Sequence, residues 1–141
     1  MVVGAVILHD GRAFVQRRSD QQRVFPGCWD IAGGHVEDGE SVTDALRREI
    51  HEETGWQLSR VLRLVTAMCW EAGGRRRLEL DYAVEASGDL ERPRQDPSEH
   101  VAWRWIDAAQ LPLLLERRDP VDKAVHDIVE LALTGEAQWP G

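Results

Sequence analysis

A chain of 141 residues with a formal net charge of −8 has room for one domain, and its charge gives it no broad attraction for polymeric nucleic acid. Its 43% hydrophobic and 30% charged content suits a globular protein with one real core, and no run approaches the roughly 18 consecutive apolar residues of a membrane span. The two cysteines, Cys28 and Cys69, are too few for a disulfide framework and read as buried thiols in a reducing cytoplasm.

Residues 2–8 form a short apolar run with no basic leader before it, and read as a buried strand rather than a signal peptide. Asp10-Gly11 signals a turn, and residues 12–17 return as a second strand. Residues 19–28 are polar, contain Pro26-Gly27, and read as a loop. Residues 41–54 read as a helix, capped by Ser41 with Asp44 three positions on and stopped by Gly55. Residues 61–70 are rich in β-formers, and Gly73-Gly74 turns them back into residues 78–84 as a hairpin. Residues 87–98 carry Gly88, Pro93 and Pro97 and read as a loop; residues 101–106 are a further strand. Pro112 breaks the chain after Leu111. Asp119-Pro120 opens a last helix running to about Leu133, with Val121, Val125, Ile128, Val129 and Ala132 as its apolar stripe. Strands alternating with helices of different lengths predict a mixed sheet packed between helices, in a single domain spanning 1–141.

The helix over 41–54 carries an anomaly. At about 100° per residue, Val42, Ala45 and Leu46 lie within about 60° of one line, the stripe that should face a sheet. Glu49, Glu52 and Glu53 continue that stripe at i, i+3, i+4 spacing, so three carboxylates face one way and repel. At the edge of a core each unpaired ion would cost several kcal/mol. A divalent cation removes the conflict, since hard cations take oxygen ligands; a solvated acidic face is the plainer alternative. A cation would also let an acidic chain hold a phosphate ester. Before the helix, Gly33-Gly34 allows close backbone approach, and Arg48 is placed to pair with Glu40 and hold the loop on the helix. His51 lies about 200° from Glu49 and points away.

Residues 34–56 read GHVEDGESVTDALRREIHEETGW. This stretch resembles the signature of the Nudix (MutT-like) hydrolases, G-x5-E-x7-R-E-U-x-E-E-x-G-U, where U is Ile, Leu or Val. Gly34, Glu40, Arg48, Glu49, Ile50, Glu52, Glu53 and Gly55 fit it. Only Trp56 departs, and as an apolar residue it is expected to be absorbed by packing. The flanks are similar more loosely: Arg17-Arg18 at a strand end, Trp29 with Gly33-Gly34, and Glu99 followed by Trp105-Ile106. Ala32 stands where a proline commonly precedes the two glycines.

The resemblance implies an α/β fold, a Nudix-type α/β/α sandwich with a mixed β-sheet. It implies hydrolysis of a diphosphate (P–O–P) linkage in a small nucleoside diphosphate-linked substrate: a nucleoside triphosphate, an oxidised nucleotide or an ADP-ribose-like compound. It implies Mg2+ (or Mn2+), held chiefly by Glu49, Glu52 and Glu53, with the carbonyl of Gly34 a further ligand. Arg48 belongs to the same catalytic set. Glu53, Glu52 and Glu99 are the candidates for taking the proton of the attacking water, and the sequence does not choose among them. Arg18 resembles an arginine that contacts substrate in some relatives; a solvated strand end is the alternative. Arg75-Arg76-Arg77 reads as a solvated turn. Homodimers are common among such proteins. Two other readings compete. One is a non-catalytic Nudix-like nucleotide-binding module, which the intact carboxylate set argues against. The other is an isopentenyl diphosphate isomerase-like enzyme, because Trp29-Asp30 followed by Gly34-His35-Val36 resembles that branch. Those isomerases are longer and use a cysteine motif not found here.

Overall fold

The computed structural model describes residues 1–135. Strand β1 (Val2–His9) is the centre of a seven-stranded sheet. Its unbroken apolar run is what a strand buried on both faces requires. It pairs antiparallel with β2 (Arg12–Arg18) and β4 (Ala32–His35), and parallel with β6 (Arg75–Ser87). Two-residue β3 (Trp29–Asp30) and β7 (His100–Ile106) add to β2, and β5 (Gln57–Ala72) is the edge strand beside β6. One parallel pair among antiparallel ones makes the sheet mixed, as expected.

Helix α1 (Val42–Thr54) covers one face, where Ala45, Leu46 and Ile50 pack on Val3, Ile7 and Phe14. Helix α2 (Ala124–Thr134) and a 3-10 segment (Ala108–Leu115) cover the other, where Val129, Ile128 and Leu114 meet Val6, Val15 and Ile106. This is the α/β/α sandwich. No helix among the described residues is long and apolar enough to cross a membrane.

The caps of α1 match the sequence. Ser41 Oγ accepts from the Asp44 N–H at 3.1 Å, and Gly55 ends the helix at φ 78°. Ser41→Ala is expected to lower stability by about 1 kcal/mol with the fold intact, read by urea denaturation.

Several boundaries differ from expectation. The last helix begins at Ala124, not at Pro120. Asp119 folds residues 119–122 into turns instead: its carboxylate accepts from the Val121 N–H and its carbonyl from the Asp122 N–H. Val121 is left 87% exposed and drops out of the apolar stripe, while Val125, Ile128, Val129 and Ala132 are buried. Pro112 does not break the chain but sits inside the 3-10 segment, whose φ range its ring already satisfies. The hairpin is longer at both ends, since β5 and β6 keep pairing from Gln57↔Ser87 to Ala72↔Arg75. Strands β3 and β4 are additional elements: glycine pairs and a two-residue run carry no alternation to read. Cys28 is buried, but Cys69 is exposed. On a strand, Met68 packing into the core turns its neighbour Cys69 outward.

Trp56 is absorbed as expected. It is buried against Phe14, with ring centroids 4.8 Å apart, and against Trp105 at 5.6 Å, and its Nε1 donates to the Asp89 carbonyl at 2.7 Å.

One buried acid stands apart from α1. Asp81 on β6 lies over Gly4, where any side chain would collide with it. Its Oδ2 accepts from Thr66 Oγ1 at 2.8 Å, and Oδ1 has no hydrogen-bond partner among the described residues. Burial, with the Glu79 carboxyl beside it, pushes its pKa from 3.8 to about 8. Between those values the folded chain keeps a proton that the unfolded chain has released, so stability falls as pH rises through that window. Against Asp81→Asn, the parent is expected to lose up to about 1.4 kcal/mol per pH unit there, measured by denaturation across the window.

Candidate active site

The site begins where β4 passes under α1. Gly33 has φ 154°, and a methyl group there would strike the Val3 carbonyl; one at Gly34 would strike the Glu49 carboxylate. The two glycines therefore let the β4 backbone lie against both β1 and the acidic end of the helix.

Glu53 is turned inward and buried. Its Oε1 accepts from Gln16 Nε2 at 3.0 Å and its Oε2 from the Gly33 N–H at 2.9 Å. Burial raises its pKa well above the ordinary value against the Gly33 hydrogen bond, and Glu49, Asp30 and Glu99 raise it further. Glu49 is mostly covered. Burial raises its pKa too, Arg48 opposes this, and Glu52 and Glu99 add to the rise. Glu52 faces outward, with its side chain 57% exposed. The helix stripe thus grades from a buried carboxylate to a solvated one rather than presenting three alike. Glu99, exposed in the loop before β7, adds the smallest share of the rise in proton affinity at Glu49 and Glu53.

Arg48 is the hub. It holds Glu40 through two bonds, Nε to Oε2 at 2.8 Å and Nη2 to Oε1 at 2.9 Å. It also donates to the His35 carbonyl at 2.9 Å, to Glu49 Oε1 at 2.8 Å and to Glu52 Oε2 at 3.4 Å. The hydrogen bonds from Arg48 hold the Glu40 pKa down at about 2. The expected Arg48–Glu40 pair is therefore bidentate and largely covered rather than a loose surface pair. Arg18 is engaged in the 19–28 loop: it donates to the Val24 carbonyl at 2.8 Å and to Gln22 Oε1 at 3.2 Å.

Three residues that the sequence reading passed over complete the cluster. Gln16 is fully buried; besides bonding Glu53, its Oε1 accepts from Gln95 Nε2 at 3.1 Å. His100 is buried with Nε2 4.0 Å from Glu53 Oε1; burial, helped by Arg18, lowers its pKa to about 4, so it is neutral near pH 7. A polar residue ending the apolar run Ala13-Phe14-Val15 was the available signal for Gln16. Gln95 and His100 offered none, because only the fold brings the 87–98 loop and the start of β7 to β2.

The donor set suits a hard cation: carboxylate oxygens from Glu49, Glu52 and Glu53, beside a Gly34 backbone kept open by its missing Cβ. These oxygens are not drawn together as tightly as His126, Asp127 and Glu130 on α2, whose ligand atoms lie within 4.8 Å of one another among the described residues. That second trio is largely exposed and on the opposite side of the sheet.

A mixed sheet between helices, with a glycine-pair strand laid under an acidic helix, defines the Nudix class. The NUDIX domain family profile matches residues 1–127, and the chain belongs to that family. Nucleoside triphosphatase NudI of Escherichia coli (strain K12) is 49% identical over 57 residues, a match covering 40% of this chain and 40% of that protein. The chain thus matches less than half the length of this curated relative. The crystal structure of a MutT NUDIX hydrolase from Burkholderia pseudomallei has a TM-score of 0.71 at 30% identity, over 92% of this chain and 95% of that one. The solution structure of the E. coli ORF135 protein has a TM-score of 0.73 at 29% identity, over 99% and 92%.

Proposed function

We propose that this protein, acting as one domain, is a divalent-metal-dependent pyrophosphohydrolase that cuts a P–O–P linkage in a small nucleoside diphosphate-linked substrate. The observation that carries it is the Glu49–Glu53 pair set against the Gly33-Gly34 backbone and locked there by Arg48, Gln16 and the Gly33 N–H. Glu49, Glu52, Glu53 and the Gly34 carbonyl would hold Mg2+ (or Mn2+), which when bound neutralises the diphosphate and lowers the pKa of a coordinated water. Arg48 keeps Glu40, Glu49 and the His35 carbonyl in place. Gln16 fixes the rotamer of Glu53, and Gln95 fixes Gln16. One of Glu53, Glu52 and Glu99 takes the proton of the attacking water.

The substrate class rests on the family and on the triphosphatase named among the relatives: a nucleoside triphosphate, an oxidised nucleotide or an ADP-ribose-like compound. The 19–28 loop, the hairpin tip at Gly73-Gly74 and the 87–98 loop are our candidates for choosing the attached group, because loops carry specificity on a shared scaffold. Two cysteines without a disulfide fit a cytoplasmic setting.

The test is a product analysis. Nucleotide substrates are incubated with magnesium, products are separated by anion exchange, and heavy-oxygen water marks the phosphorus attacked. A nucleoside monophosphate is the expected product, with simple monoesters poor substrates because they offer no second phosphate to bridge. Phosphate released from AMP as fast as from the diphosphates would overturn the reading. So would isomerisation of a prenyl diphosphate without hydrolysis.

A further inference from the structure

On β2, Gln16 faces α1 and bonds Glu53, so its neighbour Arg17 points to the opposite face of the sheet. Arg104 on β7 pairs in register with Val15 and so shares that opposite face. Arg17 and Arg104 line one groove of about 410 Å³ together with Arg117, Trp29, Leu113 and Glu116. The lining carries three guanidinium groups and the Glu116 carboxylate, and Asp20 pairs with Arg117, so Arg17 and Arg104 are the cations left without an ion pair among the described residues, in a chain whose net charge is −8.

The arginines are held in different ways. Neither Arg17 nor Arg104 makes an ion pair or a side-chain hydrogen bond among the described residues; Arg104 lies over the Trp29 ring, 5.5 Å from its centroid. Arg117 is fixed. Its guanidinium bonds Asp20 Oδ1 at 2.8 Å and crosses Gly27 so closely that any side chain at Gly27 would collide with it. Its backbone sits in the left-handed region at φ 61°, and its carbonyl accepts from Cys28 Sγ at 3.4 Å. The Arg117–Asp20 pair thus stands beside two arginines whose donors are unused.

We propose that this groove, on the face of the sheet away from the α1 carboxylates, is a second anion site that takes a phosphate group. Planar guanidinium donors match phosphate oxygens in pairs. Arg17 and Arg104 supply free donors beside the Arg117–Asp20 ion pair, and Glu116 offers an acceptor to a hydroxyl carried next to the phosphate. The Trp29 ring is covered by Arg104, so the groove reads phosphate rather than a base.

The test uses the full chain, labelled with nitrogen-15, in excess chelator and at constant ionic strength. Inorganic phosphate is titrated while the Trp29 indole and the arginine Nε–H signals are followed by NMR. Saturable shifts at Trp29, Arg17 and Arg104 are expected, with none when chloride replaces phosphate. Arg104→Gln, at an exposed position that leaves the fold undisturbed, should weaken binding at least about threefold. Adding Arg17→Gln should weaken it at least about tenfold. Glu49→Gln should leave it unchanged. A parallel titration with ribose 5-phosphate separates the sources: tighter binding points to a sugar phosphate, equal binding to phosphate alone. Shifts that chloride reproduces, binding that survives Arg104→Gln undiminished, or binding lost in Glu49→Gln would each overturn the proposal.

Discussion

Glu53→Gln is expected to lower turnover at least about 100-fold, the scale of losing a metal-assisted or general-base contribution. Glu53 accepts two hydrogen bonds, one from Gln16 and one from the Gly33 N–H. A glutamine has a single oxygen, so it satisfies one donor and sets its own N–H against the other. That mismatch adds a stability loss of about 1–3 kcal/mol, because the group is buried. Turnover must therefore be compared at a temperature where both proteins are folded, as judged by circular dichroism. Arg77→Ala is the control and should change turnover little; the structure places Arg77 half-buried on β6, paired with Trp70, rather than in a solvated turn. Parent-like activity in Glu53→Gln would make the carboxylate cluster structural only.

Removing divalent cations should have the other large effect. In excess chelator hydrolysis is expected to stop, and to return when magnesium or manganese is restored at millimolar-range concentrations. Binding should also stabilise the fold, because Glu49 and Glu53 are covered carboxylates whose burial is otherwise opposed mainly by Arg48 and the Gly33 hydrogen bond. A cation at a hundred times its Kd adds about 2.7 kcal/mol, visible as a rise in Tm. Full hydrolysis in chelator would sink the metal reading. A Tm that ignores magnesium would place the ion elsewhere than on α1.

The elements that dominate the site were legible because their signals are local. The Ser41 cap, the Gly55 stop and the i, i+3, i+4 carboxylates all lie on one helix, where spacing alone sets direction. The pairing of Arg48 with Glu40 was legible because Glu40 sits just before the cap, about two turns from Arg48 along the chain. What spacing did not convey was depth: Glu52 and Glu53 are adjacent in sequence, yet one is solvated and the other buried, and Gln16 on a different strand explains the difference. Gln95 and His100 reach the cluster only through the pairing of β7 with β2. Strands β3 and β4 were missed because Trp29–His35 carries two glycines and no alternation; β4 is a strand because β1 has unpaired backbone groups there. The start of α2 shifted because the Asp119 side chain competed with helix formation, a contest that a proline at the first turn does not decide.

The Arg48 hub bears on kinetics. One guanidinium joins the helix to the His35 carbonyl and to Glu40, so the stretch between β4 and α1 is already ordered when the chain has folded. The entropy of arranging that stretch is lost during folding and not again when an ion arrives. An arriving cation would have to displace water and turn one outward glutamate, Glu52, while the loop stays where it is. Exchange of the ion should then be limited by dehydration of the metal rather than by loop motion. Magnesium, which releases its waters reluctantly, would be the slower of the two ions to load, and manganese the faster.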